Sequence, residues 1–326
     1  MSILCRVTRG DLTESIHVAF ASVIDDSGNI IYSSGDTYYL TCVRSALKPF
    51  QAAAVIHSGA TNKYNFKNEE LALMCASHHG EKIHTNAVKS MLKKLNLTDQ
   101  DLECGSHYPS NEKMKNDMIA QNKELTPIYN NCSGKHLGML ALSKYLDVNV
   151  KGYINKEHDV QKYIFRYLRS LKVTENIPLE KDGCSAPTPF MTLESIAKLY
   201  QMLAKAEKKE LKVIFDLMSK YPNYIGGTDS FDSLFNRIMK GKAVTKIGAE
   251  SVRGISVKKE DGESIGIALK ILDGNTRALS GVTVTLLEHL GLLKNQELEK
   301  LSIFKNKIIK NHNGFDVGRI EVVIEG

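Results

Sequence analysis

The stretch CVRSALKPFQAAAV, residues 42–55, contains a serine three positions before a lysine and a proline directly after that lysine. At this spacing Ser45 and Lys48 share one face of a helix, so the lysine amine can take the serine proton and create a nucleophile. The bare pattern is not specific, because Ser-x-x-Lys occurs six times, beginning at Ser45, Ser90, Ser110, Ser195, Ser256 and Ser302. The rest of the chain must decide whether one of these sites is functional.

Pro49 distinguishes the first site from the others. Proline lacks an N–H group and is tolerated in a helix only within the first turn. The apolar run FQAAAVIHSG follows it and ends near Gly59, so we predict a helix that begins at about Ser45. The positive end of that helix favours a neutral Lys48 and stabilises negative charge that develops beside Ser45.

The order of the remaining elements predicts the fold class. Near the start, IHVAFASVID and IIYSSG flank a DSGN turn, and near the end GISVKKEDGESIGIALKIL (254–272) and GRIEVVIEG (318–326) also read as strands. Apolar residues recur at helical spacing over 68–76, 84–95, 135–146, 157–171 and 191–205. We therefore predict an α/β (α+β) fold, in which a largely antiparallel sheet from both termini packs with a helical middle segment of about 60–245. The whole chain, 1–326, is predicted to be one composite domain.

Composition narrows the range of functions. The 326 residues are 42% hydrophobic and 25% charged, as in ordinary globular proteins. The chain contains no apolar run of about 18 residues and no basic and apolar leader at its start, so we expect a cytoplasmic protein without a membrane partner. The net charge is +6, but the lysines alternate with acidic residues along helical stretches, and we expect no nucleic-acid partner.

Two other segments complete a recognisable motif order. In CASHHGEKIH (75–84), Ser77 follows a predicted short helix, although this position also suits an ordinary turn serine. In TKIGAES (245–251), Lys246 starts a Lys-x-Gly in a predicted strand region. A Ser-x-x-Lys, an interior serine and a Lys-x-Gly near a C-terminal strand follow one another in serine β-lactamases and penicillin-binding proteins. The expected fold is therefore of that type.

Five stretches together resemble one family: RSALKPFQAAAV (44–55), CASHHGE (75–81), NNCSGKHLGML (130–140), DGCSAPTPF (182–190) and KIGAE (246–250). They are similar to the asparaginase II family, the rhizobial thermolabile-type or class 3 L-asparaginases, and the resemblance covers essentially the whole chain. It implies hydrolysis of L-asparagine to L-aspartate and ammonia, a β-lactamase-like fold and a homodimer. The chain departs from the family pattern at Ser185 and Ser251, where glycine is usual, and also at His79 and in EHDVQ (157–161).

The resemblance also implies roles for individual residues. The family has two catalytic Ser–Lys pairs. The first corresponds to Ser45 and Lys48, and the second to Ser77 and Lys246. Arg44 and Asp182 match positions that hold the substrate. Cys132, Lys135 and Cys184 match a zinc site. From the residues alone the two cysteines are predicted to be ordinary core residues, because they lie 52 positions apart and Cys-x-x-Lys is not a recognised zinc spacing.

The expected chemistry is a two-step amide hydrolysis. Ser45 attacks the side-chain amide carbon of asparagine while neutral Lys48 takes its proton, ammonia leaves, and water cleaves the β-aspartyl ester. Arg44 suits the α-carboxylate of the substrate and Asp182 suits its α-ammonium. Either serine could form the ester; Ser45 is favoured because a helix start offers backbone N–H groups to the oxyanion. Zinc would orient the substrate or stabilise the fold, since Ser–Lys chemistry does not require a metal.

Two other functions fit the same residues. The first is a serine hydrolase of this fold that acts on β-lactams or D-alanyl peptides. Such enzymes work outside the cell, whereas this chain shows no export signal at its start. The second is a non-catalytic amino-acid-binding protein. The presence of all four Ser and Lys groups argues against that function.

Overall fold

The computed structural model describes residues 2–174 and 177–325. These residues form two compact units. The sheet unit contains the residues up to Thr41, Met191–Lys205, and the residues from Thr245 onward. The helical unit contains Cys42–Phe190 and Ala206–Val244. The prediction of one composite domain over 1–326 stays a prediction.

The strands are, in chain order, β1 (Ser2–Arg9), β2 (Leu12–Ile24), β3 (Ile30–Ser34), β4 (Leu40–Cys42), β5 (Leu179–Lys181), β6 (Pro187–Thr192), β7 (Ala243–Gly248), β8 (Val252–Lys258), β9 (Ser264–Ile271), β10 (Lys307–Lys310) and β11 (Asp316–Glu325). The α-helices are α1 (Lys48–Ser58), α2 (Ala60–Lys63), α3 (Asn68–Met74), α4 (Lys82–Leu95), α5 (Glu112–Ala120), α6 (Ser133–Tyr145), α7 (Asp159–Ser170), α8 (Leu193–Lys205), α9 (Lys209–Lys220), α10 (Pro222–Ile225), α11 (Phe231–Met239), α12 (Thr276–His289) and α13 (Asn295–Leu301). Each helix and strand predicted from periodicity and turn signals is present, with ends that differ by a few residues.

The sheet joins both ends of the chain. Its strand order is β10-β11-β1-β2-β9-β8-β7, and β3 also pairs with β2. The N-terminal strand β1 lies between β2 and the C-terminal strand β11 and is antiparallel to both. The hairpins β2–β3 and β8–β9 are antiparallel as predicted. The mixture of helices with a largely antiparallel sheet from both termini confirms the predicted fold class.

Helices cover both faces of the sheet. On one face α8 approaches so closely that a Cβ atom on Gly266 would lie 2.0 Å from the carbonyl oxygen of Ala197. Ile24 of β2 pairs with Gly266, so His17, an odd number of residues away, points to the opposite face. There Arg277 of α12 donates from Nε to Nε2 of His17 at 2.8 Å. This packing explains why every residue of β9 is buried.

Helix α1 forms the core of the helical unit. Its residues from Lys48 to Val55 are all buried, and it packs against α3, α6, α7 and α9. The helix ends at Ser58, and Gly59 follows in a left-handed conformation (φ 89°), as the sequence predicts. Its start differs from the prediction. Ser45 lies in a 3₁₀ turn, Arg44–Leu47, and the α-helix begins at Lys48 with Pro49 in its first turn.

Glycines bring α6 against α3. A Cβ atom on Gly134 would lie 2.2 Å from the carbonyl oxygen of Leu73, and one on Gly138 would lie 2.9 Å from the sulfur of Met74. The contact at Gly134 is with backbone and is too short for any side chain, so the two helices can approach this closely only with glycine at that position. The first turn of α6 therefore lies beside the segment that follows α3. Among the described residues, no helix is long and apolar enough to cross a membrane.

Candidate active site

The buried amine of Lys48 is the centre of the candidate site. The side chain is fully buried in the first turn of α1. Its Nζ donates to the carbonyl oxygen of Ala76 at 2.5 Å, to Oγ of Ser77 at 3.1 Å and to the carbonyl oxygen of Asn131 at 3.4 Å. A lysine amine held against a serine hydroxyl is the arrangement that Ser–Lys catalysis needs.

The serine in contact with Lys48 is Ser77 and not Ser45. Ser45 is half-buried in the 3₁₀ turn before α1, and within the described residues its hydroxyl makes no hydrogen bond. The structure therefore brings Lys48 to the serine that sequence analysis assigned to the second pair. The role of Ser45 as nucleophile stays a prediction.

The segment that carries Ser77 is held by its own backbone. The N–H of Ser77 donates to the carbonyl of Ile225 at 2.9 Å, and that of His78 donates to the carbonyl of Asn131 at 3.2 Å. Gly80 ends the segment at φ +74°, a conformation that favours glycine. Asn131 thus contacts both Lys48 and the Ser77 segment through one carbonyl. Asn131 lies in the NNCSGKH motif, but its role is not predictable from the sequence, because a backbone contact leaves no signal in residue type.

Arg44 and Asp182 form an ion pair. Nε of Arg44 donates to Oδ1 of Asp182 at 2.8 Å, and the Asp182 side chain is only 6% exposed. Burial alone would raise the pKa of Asp182, but the positive charges of Lys135 and Arg44 outweigh it and lower that pKa. The carboxylate is therefore ionised and can attract an ammonium group. The two residues predicted to hold the substrate are adjacent in space.

A buried cluster lies next to this ion pair and consists of Cys132, Lys135 and Cys184. Nζ of Lys135 donates to Sγ of Cys184 at 2.9 Å. A hydrogen bond from the Cys132 thiol lowers the pKa of Cys184 to about 5 despite burial, and the charge of Lys135 adds to the effect. The same hydrogen bond, together with burial, raises the pKa of Cys132 to about 12. Burial would lower the pKa of Lys135, but the neighbouring thiolate outweighs it and raises that pKa. Cys184 is thus the anionic member of the cluster.

The cluster fits the donor set of a zinc ion. Thiolate sulfur and nitrogen are the ligands that zinc prefers, and the three side chains lie together in one buried place. A tetrahedral ion with usual bond lengths separates a nitrogen ligand from a sulfur ligand by about 3.5 Å. Lys135 and Cys184 are closer than that, so they would move apart slightly to admit a metal. Among the described residues, no group of three or more His, Cys, Asp or Glu side chains could hold a metal ion.

Lys246 lies in β7 of the sheet unit and is 1% exposed. Its Nζ donates to the carbonyl of Ile247 at 3.0 Å. The predicted strand region around its Lys-x-Gly is therefore confirmed. Its pairing with Ser77 stays a prediction.

Both serines that replace a family glycine adopt a left-handed backbone conformation. Ser185 has φ 71° and Ser251 has φ 55°. This region costs an L-residue about 1–2 kcal/mol and costs glycine nothing. The Oγ of Ser251 donates to the carbonyl of Gly274 at 2.8 Å, which offsets part of that cost. The glycines of the family pattern thus coincide with turns that require a positive φ.

Comparison with known proteins identifies the family of this chain. The family model for L-asparaginase II matches residues 5–322, nearly the whole chain. Solved structures similar to this chain include a class A β-lactamase from Bacteroides cellulosilyticus DSM 14838, at 11% identity and a TM-score of 0.42, covering 89% of this chain and 92% of that chain. They also include a β-lactamase from Sphaerobacter thermophilus DSM 20745, at 11% identity and a TM-score of 0.42, covering 85% and 92%. Comparison with curated proteins gives no match. On the extent of the family match, the chain belongs to the L-asparaginase II family.

Proposed function

We propose that this protein hydrolyses the side-chain amide of L-asparagine to L-aspartate and ammonia through a covalent serine ester. Family membership supports an asparaginase-type amidohydrolase. The observation that carries the mechanism is the buried Lys48 amine, 3.1 Å from the hydroxyl oxygen of Ser77. A buried lysine hydrogen-bonded to a serine is suited to receive that serine's proton.

The partners of Lys48 suit its use as a base. A neutral amine has two N–H groups and one lone pair. The carbonyls of Ala76 and Asn131 can accept the two N–H groups, which leaves the lone pair for the hydroxyl proton of Ser77. Ser77 is then the group that passes a proton to Lys48.

Ser45 is proposed as the nucleophile. Its hydroxyl lies in the turn that leads into α1, where backbone N–H groups and the helix dipole stabilise an oxyanion. As Ser45 Oγ bonds to the amide carbon, its proton passes through Ser77 to Lys48. The Lys48 ammonium returns a proton to the departing nitrogen, which leaves as ammonia. Water then attacks the β-aspartyl ester, gives its proton to Lys48, and Ser45 regains a proton.

Arg44 and Asp182 are proposed to hold the α-groups of the substrate. The Arg44 side chain is 32% exposed, and its planar guanidinium suits a carboxylate. The ionised Asp182 suits the α-ammonium. Two opposite charges side by side match an amino-acid zwitterion.

Lys246 and zinc have supporting roles in the proposal. Lys246 is proposed to favour the Ser77 alkoxide as a second cation. A zinc ion held by Cys132, Lys135 and Cys184 would orient the substrate or stabilise the fold. The proposed working state is a cytoplasmic homodimer.

The test is an ammonia-release assay on L-asparagine, L-glutamine and a chromogenic β-lactam, with and without added zinc. We expect ammonia from asparagine and no β-lactam turnover. Lys48→Met should abolish the release. Purified wild-type protein that releases no ammonia from either amide would refute the proposal, and β-lactam turnover would indicate the other serine-hydrolase function.

A further inference from the structure

We infer that the hydrogen bond between His78 and Ser133 is a positioning device for the Lys48 amine, with both residues acting through Lys48 and without contact to the substrate. The inference rests on the proposed function, because Lys48 is taken as the catalytic base. His78 and Ser133 are both 0% exposed. Neither was assigned a role from the sequence.

The three acceptors of Lys48 come from two separate chain segments. Ala76 and Ser77 belong to the segment after α3, whereas Asn131 belongs to the segment before α6. The direction of the amine therefore depends on how these two segments lie relative to each other. A shift of one segment would move Ser77 away from the amine while the carbonyl of Asn131 stayed in place.

The His78–Ser133 bond ties these two segments together. His78 Nε2 lies 2.8 Å from Oγ of Ser133, and both atoms are in the interior. A backbone bond from His78 N–H to the Asn131 carbonyl, 3.2 Å long, runs beside it. The side-chain bond adds a second connection between the segments and fixes their rotation as well as their separation.

The direction of the side-chain bond follows from its neighbours. The N–H of Gly80 donates to Nδ1 of His78 at 3.1 Å, so Nδ1 carries no proton. Nε2 therefore carries the proton of the neutral ring and donates to Ser133. Ser133 donates onward to the carbonyl of Ile128 at 3.4 Å. The imidazole of His78 and the hydroxyl of Ser133 each donate one hydrogen bond and accept one, which fixes the orientation of the imidazole.

The packing of α6 against α3 leaves little freedom for another arrangement. Gly134, next to Ser133, lies so close to Leu73 that no Cβ atom fits between them. His78 also stacks on His84 with ring centroids 5.1 Å apart. The ring is thus held on its face and at both nitrogens. Loss of the bond to Ser133 would remove one of the two connections between the segments and leave the backbone bond from His78 to Asn131 in place.

The test compares three variants with the wild type. Ser133→Ala removes the acceptor, His78→Leu removes both hydrogen bonds of the ring nitrogens and the ring stack on His84, and His78→Gln retains an N–H donor at the distal position. Ser143→Ala is the matched control, because Ser143 is a buried serine of the same helix whose Oγ has no hydrogen-bond partner among the described residues. Two readouts are measured: kcat and KM for asparagine, and the rate at which a fluorophosphonate probe labels the active-site serines, which needs no substrate.

We expect Ser133→Ala and His78→Leu each to lower kcat and the labelling rate about 10- to 100-fold, with KM nearly unchanged for Ser133→Ala. His78→Gln should retain most of the wild-type kcat and labelling rate. The double variant that combines Ser133→Ala with His78→Leu should be no slower than the slower of the two single variants. Native kcat and labelling in Ser133→Ala, or losses that multiply in the double variant, would overturn the inference. If wild-type protein is labelled but does not hydrolyse asparagine, the proposed function fails while the labelling series still decides the inference.

Discussion

Lys48 and Ser77 are 29 positions apart in the sequence, yet the lysine Nζ and the serine Oγ are joined by a hydrogen bond of 3.1 Å in the interior of the helical unit. Lys48 is at the start of the buried helix α1, and Ser77 follows the end of α3. The same Nζ also reaches two backbone carbonyls. A buried lysine with these three partners is suited to exchange protons with a serine hydroxyl.

Removal of the Lys48 amine should stop catalysis. Lys48→Met keeps most of the buried stem and removes the base, so kcat for asparagine should fall by about 10²- to 10⁴-fold, the usual contribution of a general base. The matched control is Lys144→Met, which removes a half-buried amine on α6 that donates to the carbonyl of Leu95 at the end of α4. An ammonia-release assay measures kcat for both variants. A Lys48→Met enzyme with kcat similar to that of the control would show that Lys48 is not the base.

Metal content should depend on Cys184. Wild-type protein purified with zinc present should contain about one equivalent by elemental analysis, and Cys184→Ala should contain almost none, since the anionic thiolate is the strongest ligand of the cluster. Cys104→Ala is the control. Cys104 is also buried near the cluster, but burial raises its pKa to about 12, and it is not one of the predicted ligands. Equal zinc in wild type and Cys184→Ala would assign the cysteines to the core.

The enzyme should prefer asparagine to glutamine. In the proposed function the Arg44–Asp182 ion pair holds the α-groups of the substrate, so one extra methylene would move the reacting carbon out of the attack geometry. A displacement of this order costs about 10²-fold in rate. The ratio of kcat/KM for the two amides, measured by ammonia release at the same pH, tests this. Comparable values would mean that the pocket does not hold the α-groups at fixed positions.

Ser185→Gly should stabilise the protein. Ser185 is held at φ 71°, and within the described residues its hydroxyl makes no hydrogen bond that the change would remove. Relief of the backbone strain exceeds the entropy that glycine adds to the unfolded chain, so the free energy of unfolding should rise by about 0.5–1 kcal/mol. Urea unfolding measures this free energy for the variant and the wild type. Ser110→Gly, at an exposed position without a positive φ, should give no gain. A loss of stability in Ser185→Gly would show that the serine side chain contributes to the turn.

Much of the fold could be predicted because its signals are local. Strand alternation, the Asp-Gly turn after β8, Pro49 in the first turn of α1 and Gly59 at its end each act within a few residues. Sequence analysis also grouped Arg44 with Asp182, and Cys132 with Lys135 and Cys184, through the family resemblance. The structure places the members of each group in contact.

The contacts that could not be predicted are long-range. The hydrogen bond of Lys48 to Ser77 depends on where α3 ends and on the close approach of α6 at Gly134. The spacing of Ser45 and Lys48 within one helix pointed to a different partner, because the spacing rule assumes that the helix already begins at Ser45. In the structure this serine lies in a 3₁₀ turn. The role of His78 was also hidden, since a buried histidine in a turn has the same sequence signal whether or not it bonds to a distant serine.

The central claim, that Ser45 forms the acyl-enzyme with Lys48 as its base, is tested most directly by locating the covalent adduct. The enzyme is treated with an asparagine analogue that carries a reactive leaving group, quenched in acid, digested and analysed by peptide mass spectrometry. The account predicts an aspartyl-type adduct on Ser45, lost in Ser45→Ala and formed much more slowly in Lys48→Met. An adduct on Ser77 with Ser45 unmodified would contradict it.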